Sequence, residues 1–241
     1  DLHSMEIGHG TTAPDTRAGR LALPQPDRSE AARFKAGIEP IAQSGKLGAL
    51  LAQFPPSFHL GRETLAYLSG LLETFRDYPM AVELRHRSWS DAAADTAEAL
   101  DRFRAAWVRI DEPKFRLSIR QDLAPNTERF YYLRLHGRNQ AQWWSPDTPE
   151  ERYNYLYSLD ELRTFSKVAA GVGPAVRKAY IYLNNHFAAK AVVNATQLRH
   201  QLGQAVAGPY RDELVEAYPE LRDVVPPQAG GLLPFRSSAR D

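Results

Sequence analysis

The sequence predicts a parallel α/β fold of TIM-barrel-like type, on three observations. Five short apolar segments each run into a cluster of polar residues: 47–53 (LGALLAQ), 80–86 (MAVELRH), 105–111 (AAWVRID), 130–137 (FYYLRLHG) and 178–186 (KAYIYLNNH). The stretches between them are long enough for a helix, and several carry apolar residues at helical spacing. Strand side chains alternate between faces, and in these segments one parity is aliphatic while the other is polar. Strand–loop–helix units with reactive groups at the strand ends describe the way a β/α barrel builds its active site.

Each element has its own signal. Residues 1–28 are rich in Gly and Pro (Gly8, Gly10, Gly19, Pro14, Pro24, Pro26), show no sustained period and read as irregular. Ser29 opens a helical stretch to about Gly45, with Pro40 interrupting it. The strand 47–53 stops at Pro55-Pro56, since proline cannot donate to a ladder. Leu65, Leu68, Leu71, Leu72 and Phe75 then mark an amphipathic helix. A strand over 80–85 precedes a second outer helix carrying Ala94, Ala97, Leu100 and Phe103. Residues 107–111 form the third strand, closed by Pro113, and the polar run 114–129 reads as a loop with one short element.

The fourth strand covers 130–136 and leads into an aromatic insertion with Trp143, Trp144, Tyr153, Tyr155 and Tyr157. Ser158 and Glu161 make a capping box for a helix bearing Leu162, Phe165 and Val168. The fifth strand spans 179–184, and its helix ends at Gly203, a favoured C-terminal residue. A short polar helix and a Pro/Gly-rich tail follow Pro209. The expected division is an irregular segment 1–28, a partial barrel domain 29–206, and a short helix with a tail over 207–241.

Composition narrows the function classes. Of 241 residues, 43% are apolar, enough for a substantial core. Lys and Arg (30) nearly balance Asp and Glu (29), so no global charge draws the chain to nucleic acid or to an anionic membrane. Nucleic acid is thus not an expected partner; Arg116, Arg120, Arg129 and Arg138 read either as a local basic patch or as solvated side chains. There are no cysteines, which excludes disulfides and thiolate chemistry and fits a cytoplasmic location. No apolar run approaches the roughly 20 residues that span a bilayer. Residue 1 is Asp, not Met, which suggests a processed chain or a fragment.

Parity sorts the reactive residues. Ala81, Glu83 and Arg85 share a face, as do Trp107, Arg109 and Asp111; Tyr132, Arg134 and His136; and Tyr180, Tyr182, Asn184 and His186. The aliphatic sets are expected against the helices and these polar sets inside a barrel. Glu83, Arg109 and Arg134 lie deepest, where buried charges persist only when paired. They read either as an ion-pair layer or as the floor of a site. Arg85, His136 and His186 sit one step nearer the mouth, where chemistry is better served. Asp111, before Glu112-Pro113, is a ligand, a base or a turn-forming Asp. Asn185 has the opposite parity to Asn184 and suits a loop cap.

Four motifs in order, LLAQFPPSF, VELRHRSW, YYLRLHGRN and YLNNH followed by AVVNATQL, resemble the YecE-like family, domain of unknown function 72. The resemblance covers residues 47 to 200 and implies a TIM-barrel-like fold with no established activity. It places signature positions on Gln53, Pro55, Glu83, Arg85, His86, Trp89, Arg134, His136, Gly137, Arg138, Asn184, Asn185, His186 and Asn194. Leu183 stands where the family has an aromatic residue, and Ala189 where it has a glycine. The family's first three strand–helix units are not recognisable before Leu47. The resemblance therefore implies an incomplete barrel of about five of eight strands, truncated at its N-terminus.

Two chemistries and one alternative follow. Glu83, Asp111, His136 and His186 offer oxygen and nitrogen ligands for a divalent metal, with Arg85, Arg134 and Arg138 as phosphate clamps. Without a metal, His136 or His186 serves as base and Glu83 as acid. Gln53, His86, Trp89, Asn184 and Asn185 then bind the substrate. The expectation is an enzyme acting on a small polar or phosphoester substrate. The alternative is a non-catalytic ligand-binding module or an inactive remnant. Trp89, Trp143 and Trp144 either stack on a ligand or pack a loop against the rim.

Overall fold

The computed structural model describes residues 27–143, 148, 150–206, 208 and 210–226. Most of the expected irregular start, most of the tail and Trp144 lie outside these residues. The chain divides into two compact units. One holds the described residues through Arg134 together with Val172–Tyr182; the other holds Leu135–Gly171 and the described residues from Leu183 onward.

The first unit opens with α1 (Arg28–Gln43), whose N-terminus is capped by Asp27 accepting from the amides of Ser29 and Glu30 at 2.7 and 3.3 Å. Pro40 does not interrupt α1 as the sequence suggested. It lies within the last turn, and the helix runs on past it to Gln43 while giving up the single bond back that its missing N–H would have made. Next come β1 (Leu50–Gln53), α2 (Arg62–Thr74) and β2 (Met80–Glu83). Leu68 and Leu72 turn the buried stripe of α2 to the core. Burial of each such side chain contributes roughly 1.5–3 kcal/mol. Two helices follow β2: α3 (Arg87–Asp91), which periodicity did not announce, and α4 (Ala93–Asp101).

The expected third strand is split. Residues β3 (Ala106–Trp107) pair with β2, and β4 (Arg109–Asp111) belongs to another sheet. Val108 is the crossing point, and its amide still donates to Val82 O at 2.9 Å. Side chains of the polar loop satisfy the backbone there. Asn126 accepts from Trp107 N at 2.7 Å, Gln121 accepts from Ile110 N at 3.2 Å, and Gln121 donates to Val108 O at 2.9 Å.

The first sheet has the order β1-β2-β3 and is parallel, with Gln53 opposite Glu83 and Trp107 opposite Val82. Among the described residues no strand pairs with the outer edge of β1. The second sheet has the order β4-β5-β6, with β5 at Tyr131–Leu135 and β6 at Ala179–Leu183. All the expected strand segments are present, so the α/β class stands. The described strands form two three-stranded sheets and no closed barrel.

The register corrects one face assignment. Partners in a parallel ladder share a face, so Trp107 points with Val82 and not with Glu83. Arg109 follows it, stacking 4.6 Å over the Trp107 ring and donating to Ala124 O at 2.7 Å. Its ion partner is Asp122 at 3.6 Å. Arg109 therefore does not share a charged layer with Glu83 and Arg134.

In the second unit, α5 (Leu159–Val172) begins with the expected capping box: Ser158 Oγ accepts from Glu161 N, and Glu161 Oε2 accepts from Ser158 N at 2.9 Å. Helix α6 (Lys190–Gln201) ends at Gly203, whose φ of +67° suits glycine. A last short helix, α7, covers Asp212–Ala217. No helix among the described residues is long and apolar enough to cross a membrane.

Candidate functional site

The first unit gathers three of the singled-out residues, Arg85, Arg134 and Gln53, around the carboxylate of a fourth, Glu83. Glu83 ends β2 and is fully buried. Its Oε1 accepts from Arg85 Nε at 2.8 Å, and its Oε2 accepts from Arg134 Nη1 at 2.5 Å. Arg134 Nη1 also reaches Gln53 Oε1 at 2.6 Å, so strands β1, β2 and β5 converge on the cluster. A lone carboxylate at this depth carries a heavy desolvation penalty, and two charge-assisted bonds offset it. The guanidinium planes are fixed in return.

Glu112, in sequence only the neighbour of the candidate Asp111, joins the cluster. It is 5% exposed, with Oε2 3.8 Å from Arg85 Nη1. Burial holds its carboxyl above the ordinary range, opposed by the charge of Arg85. A carboxyl whose protonated form is favoured by burial beside an arginine has the character of a general acid. The signal was present in Pro113, which forces the preceding residue into an extended conformation. Asp111, the residue before it, is half-buried, and its charge raises Glu112 further.

The loop after β2 is pinned by the polar run that follows β4. Arg85 O accepts from Ile119 N at 2.8 Å, and His86 forms a bridge with Ser118. His86 Nδ1 accepts from Ser88 N at 3.2 Å and so caps α3. Its ring centroid lies 5.1 Å from that of His59, and burial, aided by His59, lowers its pKa. Trp89 is fully buried, stacked on Phe58 at 5.6 Å, with Nε1 donating to Phe58 O at 2.7 Å. These contacts tie the loop after β1 to α3.

The remaining singled-out residues belong to the second unit. His136 is buried at 1% exposure. Arg138 Nη1 donates to Glu161 Oε1 at 2.9 Å, beside the rings of Tyr157 and Phe165. Asn184 donates its backbone N–H to Leu135 O at 2.7 Å. Asn185 is fully buried, and its Nδ2 donates to Tyr155 O and to Asn194 Oδ1. Asn194, on α6, in turn bonds both the N–H and the C=O of Tyr157 at 2.9 Å. Gly137 N donates to Tyr157 Oη at 2.8 Å. At φ +87°, a Cβ on Gly137 would lie 2.8 Å from Tyr155 Cβ, so this position requires glycine. His186 is exposed, with Nδ1 3.0 Å from Asn184 O and its ring 4.9 Å from Tyr153. Among the described residues no group of three or more His, Asp or Glu side chains could hold a metal ion.

Comparison with known proteins supplies the family. The family sequence model described as "Protein of unknown function DUF72" matches residues 12–218. The UPF0759 protein YunF of Bacillus subtilis (strain 168) is 31% identical over 183 residues, 73% of this chain and 64% of that protein. The chain thus spans somewhat less than two thirds of that relative. The crystal structure of a DUF72 family protein from Thermotoga maritima superposes with a TM-score of 0.69 at 34% identity, covering 73% of this chain and 66% of that one. One from Enterococcus faecalis gives 0.70 at 25% identity, over 77% and 70% of the two chains. With the family match spanning most of its length and agreeing with the motifs at its strand ends, the chain belongs to the DUF72 family.

Proposed function

We propose that this chain carries the anion-binding part of an enzyme acting on a small phosphoester, on a partial β/α barrel whose site faces the C-terminal ends of its strands. The observation that supports this reading most is the Glu83 cluster. One buried carboxylate holds two arginines, at 2.8 and 2.5 Å, at the ends of β2 and β5. Preorganised guanidinium groups suit phosphate oxygens, because they pay no reorganisation cost when the ligand arrives. Among the described residues Arg134 makes its bonds to Glu83 and Gln53 through Nη1 alone, which leaves Nη2 and Nε for an incoming oxygen.

The chemistry is hydrolysis of the ester. Water attacks phosphorus as the P–O bond to the alcohol breaks; the departing alkoxide takes its proton from Glu112, and the proton that the attacking water brings onto the new phosphate then passes to the Glu112 carboxylate, which restores the acid. Arg85 and Arg134 carry the charge that develops on the phosphoryl oxygens. Glu83 keeps both planes in place and touches no substrate. His136 and His186 have no step assigned in this scheme.

Titration calorimetry with inorganic phosphate and turnover of glycerol 2-phosphate, an ester with a poor leaving group, test the reading. Saturable phosphate binding that weakens at least tenfold in Arg134→Met is expected. Glu112→Gln is expected to bind phosphate and lose turnover. Binding without turnover in the wild-type chain would move the assignment to a non-catalytic ligand-binding module. No binding at all would end it.

A further inference from the structure

Beside the arginines lies a ladder of three tyrosines that the scheme above does not use. Tyr132 on β5 and Tyr182 on β6 stack with ring centroids 5.0 Å apart and planes 23° from parallel. Tyr180 and Tyr182 lie 6.3 Å apart with planes 19° from parallel. The two lower rungs are held from several sides. Tyr132 is 7% exposed, and its hydroxyl lies within the fields of Arg134 and Glu83. Tyr180 is T-shaped on Phe130 at 5.8 Å, with Lys178 Nζ 4.9 Å from its ring centroid. Its hydroxyl comes 3.0 Å from where a Cβ on residue 48 would sit, so Gly48 makes room for it.

Tyr182 differs. It is 46% exposed, among the most exposed large apolar side chains described, although its ring stacks on the buried Tyr132 and the half-buried Tyr180. A tyrosine in a purely structural stack gains most by being covered. This one offers a ring surface to solvent on a stack whose partner, Tyr132, lies within the field of Arg134. Ordering costs for a ligand are low on such a surface, because the ring is already held in place.

We propose that Tyr182 is the ring-binding subsite of the phosphoester site, so that it prefers aryl over alkyl phosphates, with the ring stacked on Tyr182 and the phosphate on Arg134 and Arg85. The inference rests on the phosphoester reading and narrows its substrate class. Stacking of a flat ring on an aromatic side chain contributes enough to change affinity roughly tenfold or more. An alkyl phosphate engages only the arginines.

Calorimetric titration of the full chain with phenyl phosphate and methyl phosphate tests this. Phenyl phosphate is expected to bind at least tenfold more tightly. Tyr182→Ala should erase that advantage and leave methyl phosphate unchanged, whereas Tyr182→Phe should keep it. Equal affinity for the two esters, or an advantage that survives in Tyr182→Ala, overturns the ring subsite and leaves the phosphoester reading standing. If neither ester nor inorganic phosphate binds, both fall together. Should Tyr182→Ala fail to fold, Tyr182→Leu gives the same comparison with an apolar side chain that cannot stack.

Discussion

Glu83 and Asn194 are both fully buried polar side chains, one in each unit, and they are satisfied by different means. Glu83 accepts from two guanidinium groups, one from its own strand end and one from β5. Asn194 works as donor and acceptor at once, bridging the N–H and C=O of Tyr157 while bonding Asn185 and Gln197. The amide network needs no charge, and each bond it makes is a modest net gain. The charged cluster does not obviously stabilise the fold. Apolar residues of similar volume often serve stability as well as a buried ion pair does. A chain that keeps such a cluster at its strand ends, and an amide network where a loop must hold its shape, separates a binding feature from a scaffolding one.

Substitutions can break or sharpen that contrast. The largest effect is expected at Glu83, where alanine leaves two arginines without their anion; urea unfolding should show a loss of roughly 3–5 kcal/mol. A loss below about 1 kcal/mol would mean that the arginines find water or other partners, and the contrast would collapse. Asn194→Ala removes bonds to Tyr157, Asn185 and Gln197 and should cost about 2–3 kcal/mol by the same measurement. Phosphate affinity, measured alongside, should fall for the Glu83 variant and hold for the Asn194 variant.

A smaller effect depends on pH. Burial raises the carboxyl of Glu112 above its ordinary value of 4.5, so the folded chain binds that proton more tightly than the unfolded chain. Its contribution to stability is therefore greatest at low pH and declines as pH climbs from about 4.5 through the folded value. Glu112→Gln removes the decline. The stability of the variant relative to wild type should rise across that window, and parallel pH profiles would show that Glu112 titrates as an ordinary surface group. The smallest change is expected at Ala189, held at φ +63° before α6. Ala189→Gly relieves this strain and should stabilise by about 0.5–1 kcal/mol in thermal unfolding.

Much of this was legible in the sequence. Alternation located every strand segment, Ser158 and Glu161 announced their capping box, and the family resemblance flagged Ala189 as standing in for glycine. Parity also put Glu83, Arg85 and Arg134 on polar faces, and the structure brings those three together. Local pattern could not reveal the split at Val108. The crossing depends on Gln121 and Asn126, which reach back from a loop more than ten residues away to replace ladder bonds. For the same reason the parity of Trp107 and Arg109 was read within their strand correctly and matched to the wrong face of β2. Register is a property of two strands together. Helix α3 escaped notice because a five-residue turn has too few positions to show a period. Glu112 is only weakly marked in sequence, by Pro113 after it, because its burial comes from the loop that folds over it.

The open side of β1 has a consequence for proton traffic along the backbone. Leu50 N donates to Pro79 O and Phe54 N to Glu83 O, both toward β2. Alternation therefore turns the amides of Leu51 and Gln53 the other way, where no described strand meets them. In deuterated water those two should exchange early, while Leu50, Ala52 and Phe54 stay protected, a two-residue stripe of fast and slow sites within one short strand. Any further strand that adds to this edge, from whatever source, would make its presence known by silencing the fast half of the stripe.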